Sequence, residues 1–309
     1  MAAIEIKNLE KRYGKKTALR QISFEVEKGD IVGYLGPNGS GKTTTINIIT
    51  GLIRASAGSV TLLGCDVNTE YQKLLGKISV LFDDNGLYER MTVRQNLNYY
   101  KELFGSQKSL DEEYIKKLFD QMNYQEVKNH EVRQLSKGMK RMVGLVRALM
   151  LQPELLILDE PFDGIDLENR SRYIQLIREY HEQKQPAIIL TSHVMDDIRQ
   201  LASRLVIIKN GHLIADCSMS EFRNFAQKRS YRILFDNDSD TKQFAERCSG
   251  MEGIVNCTVS GCAISLAVSL DADFKQTVEN MKLRYKDLYQ EHEDLGDIYL
   301  DMIQERRAQ

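Results

Sequence analysis

A chain of 309 residues is long for one domain and comfortable for two. Hydrophobic residues at 42% and charged residues at 28% allow a sizeable core and are ordinary for a globular protein. A formal net charge of −2 excludes a global field that would draw nucleic acid or an anionic membrane, so no nucleic-acid partner is expected.

The first seven residues already contain Glu5 and Lys7, which does not read as a secretory signal. Ala3 to Leu9 alternates apolar and polar side chains and predicts a half-buried strand. Lys11 to Gly14 reads as a turn, and Ile22 to Val26 as a second alternating strand. On spacing alone, Tyr13 in that polar turn reads as a surface tyrosine, with stacking on a nucleotide base as the alternative.

The apolar run Ile31 to Leu35 leads into Gly36-Pro37-Asn38-Gly39-Ser40-Gly41-Lys42-Thr43, the spacing G-x-x-x-x-G-K-T of a phosphate-binding loop. Lys42 to Thr50 is expected to be helical, with Gly51 ending it. The glycines let backbone N–H groups curl inward around phosphate oxygens, and the helix N-terminus adds partial positive charge there. Lys42 can reach the β- and γ-phosphates, and the Thr43 hydroxyl can ligate Mg²⁺. Thr44, next on the helix, joins the nucleotide-binding candidates.

Ala57 to Gly64 predicts a short strand, and Lys77 to Phe82 a buried strand ending at Asp83-Asp84-Asn85-Gly86. Thr92 to about Asn129 is helical in character, broken at Gly105-Ser106. After Leu135-Ser136-Lys137-Gly138-Met139 a helix runs to Met150, with Ser136 a natural N-cap.

Leu155 to Leu158 is a continuous apolar run closed by Asp159 and Glu160, as a parallel strand buried on both faces would be. The C-terminal ends of such strands are where α/β sheets place ligands. Asp159 suits Mg²⁺, and Glu160 suits polarising an attacking water. Leu167 to Glu182 predicts an amphipathic helix, and Pro186 to Ser192 a buried strand ending at His193. His193 is balanced between a structural role and a hydrogen bond to a phosphate. Leu205 to Ala215 predicts a hairpin turning at Asn210-Gly211. The five cysteines (Cys65, Cys217, Cys248, Cys257, Cys262) lack C-x-x-C or zinc spacing and suit reduced thiols in a cytosolic protein. No apolar run reaches spanning length.

From Leu135 to Met139 onward the chain resembles the ATP-binding cassette (ABC) family, specifically ATPase subunits of ABC-2-type exporters of drugs or peptides. The resemblance covers about residues 3 to 222. Residues 36 to 43 match Walker A, Leu135 to Met139 the signature, and Leu155 to Glu160 Walker B. Gly164-Ile165-Asp166 matches the D-loop, His193 the switch histidine and Tyr13 the adenine-stacking aromatic. The signature has Lys137 and Met139 in place of glycine and glutamine but keeps Ser136 and Gly138. Asp83 stands where the family carries glutamine or glutamate, a residue that reaches Mg²⁺ and the attacking water.

The resemblance implies an α/β P-loop NTPase cassette over residues 1–222, with a helical subdomain at about 84–150. It implies an ATPase using ATP and Mg²⁺. Asp83, Glu160 and His193 would be catalytic, and Thr43, Asp83 and Asp159 metal-binding. Tyr13, the loop from Gly36 to Thr44, Ser136, Gly138 and Asp166 would hold nucleotide. Two copies would close head to tail over two ATP molecules, each held between one P-loop and the other copy's Ser136 and Gly138. The segment from Asn85 to Leu97 would grip a multi-spanning permease at the cytoplasmic face of the membrane. Residues 223–309 predict a small accessory α+β domain of ferredoxin-like type. Its elements are a strand at Tyr231–Phe235, a helix at Thr241–Cys248, two strands between Ile254 and Leu270, and helices at Ala272–Leu283 and Leu295–Ile303. A dimer contact or regulatory cap is expected there. The competing readings are a soluble ABC ATPase of translation or DNA repair, and a weakly active nucleotide-gated regulator.

Overall fold

A computed structural model describes residues 2–105, 111–121, 124–225, 228–248, 253–269, 285–291 and 295–305. The chain divides into two compact units, Met1–Met219 and Ser220–Gln309.

In the first unit β1 (Ala2–Tyr13) and β2 (Lys16–Glu27) precede β3 (Ile31–Leu35) and α1 (Lys42–Ile49). Next come β4 (Ala57–Leu62), β5 (Cys65–Asp66), β6 (Ile78–Leu81) and the helices α2 (Val93–Gly105), α3 (Glu112–Gln121), α4 (Tyr124–Val127) and α5 (Lys137–Leu149). The unit closes with β7 (Leu155–Leu158), α6 (Leu167–Lys184), β8 (Ala187–Ser192), α7 (Met195–Ile198), β9 (Arg204–Lys209) and β10 (His212–Ser218). A short helix, α8 (Met219–Phe222), follows.

Two sheets form. One is antiparallel, in the order β2-β1-β4-β5; the other runs β10-β9-β3-β8-β7-β6 and is parallel except at β10. Strands β3, β7 and β8 are buried at every residue, which is why they read as unbroken apolar runs. One apolar core joins the sheets: Ile4, Ile6 and Leu9 of β1 share it with Val32 and Tyr34 of β3, Ile157 of β7 and Ile189 of β8. Ile46, Ile48 and Ile49 bury the inner face of α1 in the same core, each contributing about 1.5–3 kcal/mol. Gly51 follows that helix in the left-handed conformation, at φ 73°.

The turn expected at Lys11 to Gly14 starts later than predicted. Lys11, Arg12 and Tyr13 continue β1, pairing with Leu19, Thr17 and Lys16, and the chain reverses at Gly14 with φ 56°. Polarity suggested a loop, but cross-strand pairing keeps these residues in the sheet. The helical stretch from Thr92 is α2, α3 and α4.

The second unit contains β11 (Lys228–Leu234), α9 (Asp238–Cys248), β12 (Ile254–Ser260), β13 (Ala263–Ser269), β14 (Asp287–Glu291) and α10 (Leu295–Glu305). Its sheet is antiparallel, in the order β12-β13-β11-β14. Strand β13 lies between β11 and β12, the split β-α-β arrangement. Tyr231, Ile233, Phe244, Ile264, Leu266 and Val268 form its core. Cys248 is buried with them, and burial pushes its thiol up to about 12. All five cysteines are free thiols. The polar run Asp287–Glu291 gave no strand signal; it pairs along β11 as β14. The helix expected at Ala272–Leu283 lies outside the described residues.

Candidate functional site

The P-loop leaves the C-terminal end of β3, between the parallel neighbours β8 and β9. Gly36 leaves no room for a side chain: a Cβ there would lie 2.4 Å from the Ile208 carbonyl oxygen and 2.5 Å from Ser40 Oγ. Gly41 caps α1 with φ 118°, a conformation that glycine adopts without strain. The loop is tied down from three sides. Ser40 N–H donates to Pro37 O (3.1 Å), Gly211 N–H to Ser40 O (2.8 Å) and Gly36 N–H to Ser192 O (3.3 Å). The Asn210-Gly211 hairpin turn thus braces the loop as well as joining β9 to β10. Below it, the Tyr34 hydroxyl and Thr45 Oγ1 lie 3.0 Å apart and are buried.

Lys42 is buried, and its Nζ donates to Gly36 O at 2.7 Å and lies 3.2 Å from Glu160 Oε1. Glu160 Oε2 lies 3.0 Å from His193 Nδ1. The Glu160 carboxylate therefore bridges the P-loop lysine and the histidine at the end of β8. Beside it, Asp159 Oδ1 accepts from Thr191 Oγ1 at 2.6 Å, and Glu160 N–H donates to the same hydroxyl at 2.8 Å. Burial raises the Asp159 carboxyl above its ordinary value, and the Thr191 hydrogen bond opposes that rise. Glu160 has φ 44°, a left-handed backbone unusual outside glycine.

These groups open onto one cleft of about 1070 Å³, lined also by Tyr13, Asn38, Gly39, Gly41, Thr43, Thr44 and Asp83. Gly36, Pro37 and Ser40 are not among the described residues lining it. Tyr13 is half-exposed at the cleft, with the Lys11 ammonium 5.0 Å from its ring centroid. Lys15, Lys16 and Arg20 add positive charge to the same wall. The phosphate-sized loop, three nearby cations and an exposed aromatic ring suit a nucleoside polyphosphate.

Asp83 reaches the cleft, but its carboxylate is held by Arg141 at 2.6 Å. Ser136, Gly138 and Asp166 are not among the described residues lining the cleft. They cluster elsewhere. Ser136 Oγ caps α5 by accepting from Met139 N–H (3.2 Å), and Asp166 caps α6 by accepting from Asn169 N–H (3.0 Å). A Cβ on Gly138 would stand 3.5 Å from Asp166 Oδ2. Lys137 pairs with Asp163 at 2.7 Å, and that ammonium holds the Asp163 carboxyl below its ordinary value.

Sequence reasoning passed over Arg141, Thr191, Lys15, Lys16, Arg20 and Asn210. Thr191 and Asn210 stood inside segments already singled out. Arg141 had no local signal, because a helical arginine reads as solvated until its burial is seen.

Among the described residues no group of three or more His, Cys, Asp or Glu side chains is poised around a metal. Of the oxygen groups lining the cleft, Thr43 and Asp159 offer one hydroxyl and one carboxylate as candidate ligands. That sparse oxygen set fits Mg²⁺, which commonly takes one or two protein ligands and completes its shell with water and substrate phosphates.

Comparison with known proteins places these observations. A family model described as ABC transporter matches residues 19–163. The linearmycin resistance ATP-binding protein LnrL of Bacillus subtilis is 34% identical over 212 residues, covering 69% of this chain and 68% of that one. An uncharacterized ABC transporter ATP-binding protein of the same organism, YdbJ, is 32% identical over 216 residues, covering 70% and 69%. The bacitracin transport ATP-binding protein BcrA of Enterococcus faecalis is 30% identical over 275 residues, covering 89% and 85%. A solved ATP-binding subunit of an ABC transporter matches with a TM-score of 0.65 at 26% identity, covering 72% of this chain and 92% of that structure.

Proposed function

The chain belongs to the ABC transporter family as an ATP-binding, ATP-hydrolysing subunit, and from that premise we propose how its residues divide the work in powering export through a separate permease. The P-loop amides and Lys42 hold the β- and γ-phosphates. Thr43 and Asp159 would hold Mg²⁺, which when bound would supply positive charge against the charge that develops on the phosphates. Tyr13 stacks on the base. Glu160 accepts a proton from the attacking water, and His193 orients the Glu160 carboxylate through Nδ1–H until nucleotide binds, when its N–H is free for the γ-phosphate. Phosphate oxygens arriving at Lys42 compete with Glu160 for that ammonium, which frees the carboxylate for water.

The observation that carries this reading is the convergence of Lys42, Asp159, Glu160 and His193 on one cleft while Ser136 and Gly138 stand outside it. One chain presents a P-loop half-site and, separately, a capped helix N-terminus at Ser136. A second copy, joined head to tail, supplies that terminus to the γ-phosphate by the same dipole logic as the P-loop. The linearmycin-resistance and bacitracin-transport relatives support an exporter role. No described helix is long and apolar enough to cross a membrane. A separate permease would be gripped by the segment from Asn85 to Leu97, with this subunit docked at the cytoplasmic face.

Replacing Glu160 by Gln keeps the shape and removes the base. Glu160→Gln is expected to bind ATP normally while hydrolysis falls by about 10²–10⁴-fold. Equilibrium binding of a fluorescent ATP analogue and steady-state phosphate release measure the two effects. Undiminished turnover would sink the assignment of Glu160.

A further inference from the structure

Arg141 lies on α5 with its side chain 0% exposed, while the Asp83 side chain it pairs with is 70% exposed. Its guanidinium reaches four acceptors. One terminal nitrogen donates to Phe82 O at 2.8 Å and Asn85 Oδ1 at 3.1 Å; the other donates to Asp83 Oδ1 at 2.6 Å and Glu160 O at 3.2 Å. Its Nε is buried without a partner among the described residues. A buried cation oriented toward acceptors on two separate loops is costly unless its charge is matched. Asp83 supplies that match from the cleft side.

Glu160 is the second half of the observation. Its left-handed backbone, at φ 44°, is strained in a non-glycine residue and persists only where the surroundings hold it. Thr191 holds the N–H side and Arg141 the carbonyl side. Both act on the backbone of the residue whose carboxylate meets Lys42 and His193. A shift of α5 therefore moves the Glu160 carbonyl and the Asp83 loop through a single side chain.

We propose that Arg141 is a positioning residue that clamps the strained Glu160 backbone and aims its carboxylate, and that Asp83 serves as the counter-ion of Arg141 and not as a metal ligand. The first part rests on the catalytic reading of Glu160. Unlike Arg141, a lysine cannot donate to all four acceptors from a planar fork, so Arg141→Lys keeps the charge and loses the clamp. Asp83→Asn keeps an acceptor for Arg141 and removes the anion.

The test compares the full-length wild type with Arg141→Lys, Arg141→Met, Glu160→Gln and Arg141→Met/Glu160→Gln for ATPase kinetics, fluorescent-ATP binding and melting temperature. Arg141→Lys is expected to lower kcat by about 10–100-fold, the range of a catalytic group misplaced by an ångström, with KM for ATP within threefold. Arg141→Met is expected to add no loss in the Glu160→Gln background, because it acts through Glu160. In that same background, Asp83→Asn is expected to leave the Mg²⁺ dependence of nucleotide binding within twofold, whereas Asp159→Asn raises the Mg²⁺ needed. Full kcat in Arg141→Lys, or losses that add in the double variant, overturn the clamp while the reading of Glu160 stands. A raised Mg²⁺ requirement in Asp83→Asn overturns the counter-ion role. Undiminished turnover in Glu160→Gln removes the reading of Glu160 and the clamp with it.

Discussion

Thr191 is a single hydroxyl shared by two acidic residues, donating to Asp159 Oδ1 and accepting from Glu160 N–H. Thr191→Val preserves the shape and removes both bonds. It is expected to destabilise the fold by about 1–3 kcal/mol, because buried polar groups lose their partner. Turnover is expected to fall, since Thr191 holds the Glu160 backbone, and the Mg²⁺ needed for ATP binding is expected to rise, since it also holds Asp159. Denaturant unfolding, ATPase kinetics and ATP binding against Mg²⁺ check these effects; a variant with wild-type stability and kcat would contradict them. Residue-scale legibility follows sequence distance. Lys42, Thr43, Asp159, Glu160 and His193 could be read because each ends or follows an apolar run or a glycine spacing. Thr191 meets Asp159 across 32 residues, and Arg141 meets Asp83 across 58, so no local pattern reported either contact.

Strands β3, β7 and β8 were legible as elements because full burial writes itself as unbroken hydrophobicity. The end of β1 and the whole of β14 were not, since polar residues there are held by pairing with β2 and β11. The helical stretch between β6 and β7 is anchored to α6 in part through Glu179. Its carboxylate accepts from Lys117 Nζ at 2.8 Å and Gln121 Nε2 at 2.9 Å on α3, and from Gln175 at 2.8 Å on its own helix. Led by the Lys117 hydrogen bond, these contacts hold the carboxyl below the ordinary glutamate value of 4.5. A lowered carboxyl stabilises the fold above the unfolded value, and that contribution fades as pH falls through the folded one. Because the Lys117 side chain it pairs with is half-exposed and screened, Glu179→Gln is expected to cost only about 0.2–1 kcal/mol at pH 7. The difference from wild type should vanish below the lowered value. Paired melts at pH 7 and pH 3 measure it, and an equal or larger difference at the acid pH would contradict it.

At the scale of the whole molecule, the chain carries two units, and in the first the P-loop cleft is not lined by Ser136 or Gly138 among the described residues. The match to the bacitracin transport protein runs over 275 residues, longer than the unit Met1–Met219, so it extends into the second unit. The two-copy site comes from the family resemblance, and it agrees with Ser136 and Gly138 standing outside the described lining of their own chain's cleft. The proposed site closes only with another copy, and Glu160→Gln should trap that dimer by slowing hydrolysis. Size-exclusion chromatography with light scattering, with and without ATP and Mg²⁺, tests this most directly on Glu160→Gln and on Glu160→Gln/Ser136→Arg. ATP is expected to convert Glu160→Gln from monomer to dimer and to leave the double variant monomeric although it still binds ATP. A double variant that dimerises as readily, or a Glu160→Gln chain that stays monomeric when saturated with ATP, would contradict the two-copy site.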